Sequence, residues 1–437
     1  MPLSSVSHTL SHIRRSTNKN GNASSSRLPH SPVTPQSRQS SHHSLSPHPS
    51  TTLHTPVPMN QPLHIAISVP PLSPAPELPL SSAPANVPAL SRHPMVTSDV
   101  KGEYANYKWD ELGFGLIPTD YMYVMNCSKE ENSFSKGSLV RFGNMEMNPS
   151  SGILNYGQGV LEGLKAYRRE DEKIMLFRPE LNAMRMKIGA ERMCMPPPTT
   201  QQFLDAIKQT VHANKRWVPP PGKGSMYIRP LLLGSGPRLG VGPASEYTFI
   251  TYASPVGNYH EGTLNLVVEE NIYRATPGGT GCIKAIINYA SIYKAITEAR
   301  AKGFSDVLFL DSKTGKNLEE ASTSNIFIVK GNVISTPATD GTILPGITRK
   351  SAIEVARVLG YKVEERSVPV EELSDADEVF LTGTAMVINP VDSVTYQGKR
   401  TEYKKGADTV GHNIYEMLTG IQFGRVEDKM GWTVELK

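Results

Sequence analysis

Between Arg274 and Tyr289 the chain reads Arg-Ala-Thr-Pro-Gly-Gly-Thr-Gly-Cys-Ile-Lys-Ala-Ile-Ile-Asn-Tyr, a glycine-rich approach to a single lysine, Lys284. Gly278, Gly279 and Gly281 carry no side-chain bulk, so the backbone there can come close to a ligand. A lysine that ends such a run, just ahead of a helical pattern, can serve as a Schiff-base amine. The same spacing also suits a solvated lysine beside a loop. A Walker phosphate loop is excluded, because it needs Gly before the lysine and Ser or Thr after it, where Ile283 and Ala285 stand.

Two later stretches favour an anion such as a phosphate. Leu344-Pro-Gly-Ile-Thr-Arg presents backbone N–H groups at a helix start, where the macrodipole attracts negative charge. Thr382-Gly-Thr-Ala offers a second small-residue turn with N–H donors. Between them and Lys284 lies Glu320, at the end of a charged patch that leads into small polar residues and an apolar strand. It is either a solvated acidic turn or a carboxylate suited to a protonated pyridine nitrogen. Arg229 sits inside the apolar run Met226-Tyr-Ile-Arg-Pro-Leu-Leu-Leu-Gly, a costly place for a charge without an anionic partner. Arg185 leaves the edge of an apolar helix face marked by Leu181, Met184 and Ile188, a position that also fits an arginine snorkelling at a core boundary.

The elements that must position these groups occupy only part of the 437 residues. Residues 1–94 are rich in Ser, Pro, His and Thr, hold no acidic residue before Glu77 and show no sustained apolar period. Such a segment cannot bury enough apolar surface to fold. Its Ser-rich, acid-poor, Arg-bearing composition suits an organelle transit peptide, plastid or mitochondrial, or alternatively an unaddressed linker. The first 97 residues carry a net +5 and the remaining 340 a net −1, so the overall basicity belongs to the tail and nucleic-acid binding by the body has little support.

Nine of the 12 histidines also lie in the tail, and no paired-His metal spacing remains in the body. A histidine metal site or a Ser-His-Asp hydrolase is disfavoured, and lysine chemistry gains. Cys127, Cys194 and Cys282 are widely spaced, which argues against a disulfide framework or structural zinc. No apolar run reaches the length of a membrane span.

Past the tail the pattern predicts a mixed α/β body. A first domain covers 95–254, a turn-rich connection with Tyr259 covers 255–263, and a second domain covers 264–437. Strands are expected at Ser138–Gly143, Met226–Gly234, Glu246–Ser254, Leu264–Glu270, Asp306–Asp311, Asn325–Val329 and Glu378–Thr384. Helices are expected from Pro179, from Lys284 to about Lys302, and from a cap at Thr348 to Gly360.

Taken in order, Asn155-Tyr-Gly-Gln-Gly through Glu162-Gly-Leu-Lys-Ala-Tyr, Phe177-Arg-Pro, Tyr227-Ile-Arg-Pro, Lys284 to Tyr289, Glu320 to Phe327, Leu344 to Arg349 and Thr382 to Ala385 form one set. That set resembles the class IV aminotransferases that use pyridoxal 5'-phosphate, most closely the plant-type branched-chain amino acid aminotransferases. The resemblance covers nearly all of the chain from about Tyr104 onward. It implies a fold-type IV enzyme of two α/β domains with the cofactor between them, usually a homodimer, that moves amino groups between Leu, Ile or Val and 2-oxoglutarate. It implies Lys284 as the Schiff-base lysine and proton shuttle, Glu320 on the pyridine nitrogen and Tyr289 on the ring's phenolic oxygen. Arg185, Ile347, Thr348 and Thr384 would hold the phosphate, and Tyr156, Tyr227, Arg229, Tyr259, Thr384 and Ala385 the substrate. A lyase, a D-amino acid aminotransferase or a turnover-deficient homologue would share the lysine and its neighbours. Two positions depart from the pattern: Leu161 where Phe is usual, and Ile287 where Gly or Ser is usual, which adds β-branched bulk near the lysine.

Overall fold

A computed structural model describes residues 104–257 and 262–437, so Tyr259 lies outside the described residues. Two sheets organise it. The first contains β1 (Tyr121–Ser128), β2 (Ser138–Arg141), β3 (Gly159–Leu161), β4 (Leu164–Arg168), β5 (Ile174–Phe177), β6 (Ser225–Gly234) and β7 (Glu246–Val256). The second contains β8 (Asn265–Glu269), β9 (Asp306–Leu310), β10 (Leu318–Ala321), β11 (Asn325–Lys330), β12 (Val333–Pro337), β13 (Lys362–Arg366), β14 (Glu378–Gly383), β15 (Val387–Pro390), β16 (Ser393–Tyr396) and β17 (Lys399–Glu402). A last strand, β18 (Thr433–Glu435), returns to pair with β5, so the order of the first sheet is β18-β5-β4-β6-β7-β1-β2 with β3 on β6. Among the described residues no helix is long and apolar enough to cross a membrane.

Seven helices complete the described part: α1 (Gly152–Tyr156), α2 (Pro179–Arg192), α3 (Thr200–Ala213), α4 (Ile287–Ala290), α5 (Tyr293–Ala301), α6 (Ile347–Val358) and α7 (Val410–Phe423). The first sheet is covered by α3, whose start is fixed by a capping box. Thr199 Oγ1 accepts from Gln202 N–H, and Gln202 Oε1 accepts from Thr199 N–H. Its apolar face, Phe203, Ala206, Ile207 and Val211, is fully buried with Phe249 and Ile228. Each large side chain there contributes about 1.5–3 kcal/mol. On the second sheet, Phe327 and Phe380 stack 4.9 Å apart, in one core with Ala352, Val355, Ile414 and Leu418 of α6 and α7. The opposite core, Leu266, Leu308, Leu381 and Val394, closes the strands from the other side.

Three helical expectations change. In α2, Met184 and Ile188 are exposed, and the helix instead buries Ala183, Arg185, Met186, Gly189 and Ala190. Gly189 lets Val160 come close, and Arg185 has an acidic partner inside, so the rotation that buries both wins over the larger apolar residues. The helix after Lys284 is broken into α4 and α5 at Ser291 and Ile292, with Ser291 Oγ donating to the Asn288 carbonyl. The cap of α6 is Gly346; Thr348 lies within the first turn.

Candidate active site

Lys284 is reached from the first sheet and held by its own glycine loop. The N–H of Leu161 donates to the Lys284 carbonyl at 3.0 Å and that of Ile286 to the Gly159 carbonyl at 3.0 Å, so β3 pairs directly with the lysine segment. Asn288 staples the glycine turn from behind, its Nδ2 donating to the carbonyls of Thr280 and Ile283, both at 2.9 Å. With its backbone fixed, Lys284 sends Nζ to within 3.1 Å of the Tyr289 hydroxyl. Burial pushes the Tyr289 phenol up, but the charges of Lys284 and Arg274 outweigh it, and the net shift is downward. The ammonium thus favours the ionised phenol beside it.

Glu320 is 1% exposed. Its Oε1 accepts from Arg274 at 2.6 Å and from the Leu344 N–H at 3.0 Å, while Oε2 accepts from Asn325 Nδ2 at 3.2 Å. Burial holds its carboxyl above the usual range against the pull of Arg274, so a further positive charge beside it would be stabilising. This is the environment that a pyridinium nitrogen requires, and the solvated-turn alternative for Glu320 is gone.

Arg185 is not a snorkelling residue. Its Nε and one Nη donate to the two oxygens of the fully buried Glu162, each at 2.8 Å, and the other Nη donates to the Pro345 carbonyl at 3.1 Å. The guanidinium is thereby held against the start of α6. There Gly346 provides no side-chain cap and the first turn has no acidic residue, so among the described residues no side chain competes with an anion for the N–H groups of Ile347 and Thr348. Small residues, an open helix N-terminus and a fixed arginine fit a phosphate. Glu320, Tyr289 and Lys284 fit a pyridoxal ring.

Beside Tyr227, Gly163 is the meeting point. Its carbonyl accepts from Thr384 Oγ1 at 3.3 Å and from Asn182 Nδ2 at 3.1 Å, and a side chain there would collide with the Tyr227 hydroxyl. Tyr227 is braced edge-on by Phe114 at 5.3 Å, and the Arg229 guanidinium lies 5.3 Å from its ring. Arg229 Nε is buried without a hydrogen-bond partner among the described residues, a donor left for a ligand. Ala385 is held through its carbonyl, which accepts from the buried Lys165 at 2.6 Å. Tyr156 stands apart, its hydroxyl donating to the Leu239 carbonyl at the surface.

Sequence reasoning missed Glu162, Lys165, Arg274, Asn288 and Asn325. Each acts through a partner distant in sequence, apart from Asn288 and Asn325, whose spacing from Lys284 and Glu320 was a usable signal. The departures at 161 and 287 also resolve. Leu161 contributes its backbone to Lys284, and Ile287 is 41% exposed with its Cγ2 against Gly157.

With this geometry in place, the comparisons with known proteins are direct. The amino-transferase class IV family matches residues 159–394. A chloroplastic branched-chain amino acid aminotransferase 2 of Humulus lupulus is 62% identical over 338 residues, 76% of this chain and 83% of that protein. A mitochondrial branched-chain-amino-acid aminotransferase 1 of Arabidopsis thaliana is 60% identical over 337 residues, 76% of this chain and 88% of that protein. Among solved structures, the branched-chain amino acid aminotransferase of Thermobaculum terrenum in its PLP-bound holo form is 25% identical with a TM-score of 0.62, covering 73% of this chain and 99% of that one.

Proposed function

The chain belongs to the class IV aminotransferases, and from that premise we propose that it is a branched-chain amino acid aminotransferase, moving the amino group of Leu, Ile or Val reversibly to 2-oxoglutarate. The observation that carries this reading is the convergence of Lys284, Tyr289 and Glu320 on one side with Arg185 and the open start of α6 on the other. Pyridoxal 5'-phosphate supplies a carbonyl that takes up the amine and a ring that accepts electrons from the substrate α-carbon.

The chain's residues do the rest. Lys284 Nζ binds the cofactor and carries the proton to and from the α-carbon, with Tyr289 holding the amine in position. Glu320, locked by Arg274 and Leu344, keeps a proton on the ring nitrogen. Arg185 with the N–H groups of Ile347 and Thr348 and the Thr384 turn anchors the phosphate. Tyr227, Arg229, Thr384 and Ala385 face the substrate, and Arg229 answers its orphaned donor with a carboxylate. Tyr156, with its hydroxyl on the Leu239 carbonyl, stands outside this group, and Tyr259 is assigned to the substrate by the family resemblance alone.

Leu154, Leu239 and Val241 are 62%, 92% and 86% exposed, and Tyr156 binds the loop that carries the last two. So much bare apolar surface supports a homodimer. The division into 95–254 and 264–437 follows the two sheets, except that β7 runs on to Val256 and β18 returns to the first sheet. Relatives named as chloroplastic and as mitochondrial, together with the tail's composition, support an organelle address, and we favour the plastid.

The test is incubation with L-leucine and 2-oxoglutarate. The expected result is stoichiometric glutamate and 4-methyl-2-oxopentanoate. A lyase, a D-specific enzyme or a turnover-deficient homologue would give no glutamate from the L-substrate.

A further inference from the structure

The turn at residues 341–346 links Glu320, Arg185, the start of α6 and the glycine loop before Lys284. Its Leu344 N–H donates to Glu320 at 3.0 Å, its Leu344 carbonyl accepts from Asn325 at 3.0 Å, and its Pro345 carbonyl accepts from Arg185 at 3.1 Å. Gly346 then caps α6 and aims the N–H groups of Ile347 and Thr348. The Thr342 carbonyl is pressed against Gly281 in the lysine turn, where any side chain would collide with it. A shift of this turn would move the ring-nitrogen partner, the phosphate donors and the lysine loop together.

Glu319 is the residue that grips this turn from its other end. It is buried, its Oε1 accepts from Thr342 Oγ1 at 2.5 Å, and its Oε2 has no hydrogen-bond partner among the described residues. A carboxylate beside a second one, with half its valence unmet, is an expensive feature to keep in an interior. Its placement follows from the strand. Between Leu318 and Ala321, β10 carries one residue more than β9 opposite it, a bulge at which consecutive side chains need not alternate. Glu319 and Glu320 therefore reach the same turn, at Thr342 and Leu344, instead of pointing to opposite faces.

We propose that Glu319 is a positioning residue for the cofactor, acting through Thr342 to hold the 341–346 turn so that Glu320 and the α6 N–H groups stay in register with Lys284. The inference rests on the site assignment made above. It adds a residue that touches neither substrate nor cofactor. Burial pushes the Glu319 carboxyl up to about 7, so its environment is set by the same dry interior that holds the turn.

The experiment follows loss of cofactor from the purified holoenzyme. Wild type, Thr342→Ser, Thr342→Val and Glu319→Gln are diluted into a trap for free pyridoxal phosphate, and decay and maximum of the bound-cofactor absorbance band are recorded. Melting temperature is measured in parallel. Thr342→Val should release cofactor about tenfold faster or more, the scale of a buried acceptor left without its donor, with a displaced band. Thr342→Ser should match wild type, and Glu319→Gln should fall between them. A Thr342→Val enzyme with a lower melting temperature but unchanged release and band would overturn the proposal. If Thr342→Val does not fold, a Glu319→Gln enzyme identical to wild type in both readouts overturns it. Absence of any bound-cofactor band in wild type would instead refute the site assignment, so the two failures are distinguishable.

Discussion

Around Lys284 the polar groups are committed to one another: Nζ to Tyr289, Glu320 to Arg274, Leu344 and Asn325, the loop backbone to Asn288 and β3. Around Arg229 the opposite holds. Its Nε has no hydrogen-bond partner among the described residues, and Tyr227 and Thr384 are braced by Phe114 and Gly163. The lysine side is wired before any ligand arrives, which suits a resident cofactor whose reactive atoms must not wander. The Arg229 side keeps one donor, Nε, in reserve, which suits a molecule that binds and leaves. Substitutions on the first side should therefore damage chemistry or folding, and those on its margin should do little.

The largest effect is expected at Lys284. Lys284→Ala should lose both the bound-cofactor absorbance band and transamination, because no second lysine replaces its hydrogen bond to Tyr289 in the glycine turn. Detectable turnover in that variant would end the mechanism. Glu320→Gln should retain the cofactor yet slow kcat by about a hundredfold or more, since an unprotonated ring is a poor electron sink. Equal kcat would show that the Arg274 pair serves folding alone.

Arg185→Ala tests whether the wiring is also stability. It strands the fully buried Glu162, and breaking a buried pair costs about 3–5 kcal/mol. Denaturant unfolding should show this loss, with part of it restored by adding Glu162→Gln. A residue at a core boundary would lose far less.

Much of this wiring was legible in the chain, but unevenly. The strands around Arg229, Asp306 and Asn325 show as apolar runs bounded by glycine, and the structure has them where the pattern predicts. Residue type and local spacing single out Lys284, Glu320 and the two anion turns but leave a solvated reading open for Lys284 and Glu320, and only the family resemblance gives them roles. What stayed hidden were the partners supplied by tertiary contact, such as Glu162 for Arg185, Lys165 for Ala385 and Arg274 for Glu320. The face of α2 was misread for the same reason. Helical periodicity weighs Met184 and Ile188 as core, while an inward Arg185 becomes favourable only once Glu162 is known to wait for it.

A smaller effect is expected from pH. Glu319 faces Glu320, Arg274 and Asp311, and burial raises its carboxyl from 4.5 to about 7 in the folded protein. Folding thus favours its protonated form. Its contribution to stability is complete below the unfolded value and is lost as pH rises through about 7. Glu319→Gln, which cannot ionise, should gain in melting temperature relative to wild type as pH goes from 5 to 8, by about 2–4 °C for a loss near 1 kcal/mol. A difference that stays flat across that range would show that Glu319 is ionised throughout.

The smallest effect is expected at Ile287, where the sequence suggested trouble. A β-branched residue three positions after the lysine, in place of the usual Gly or Ser, would crowd the cofactor if it pointed inward. In the structure it is 41% exposed, and its Cγ2 rests on Gly157, the left-handed residue with φ 63° that ends α1. The extra bulk is accommodated by a glycine that has no side chain to clash, not taken from the space around Lys284. Leu161 reaches Lys284 through its backbone N–H, a bond that does not depend on the side chain present. Ile287→Ala should therefore change kcat with leucine by less than about twofold, within the range of surface substitutions away from special features. Alanine is the better probe than glycine, which would add a backbone cost at the first residue of α4. Combined with Leu161→Phe, the effects should add within about 0.3–0.5 kcal/mol, as for independent sites. A tenfold gain in Ile287→Ala, or strong coupling to position 161, would place the isoleucine inside the wired region after all and move the boundary between the two sides.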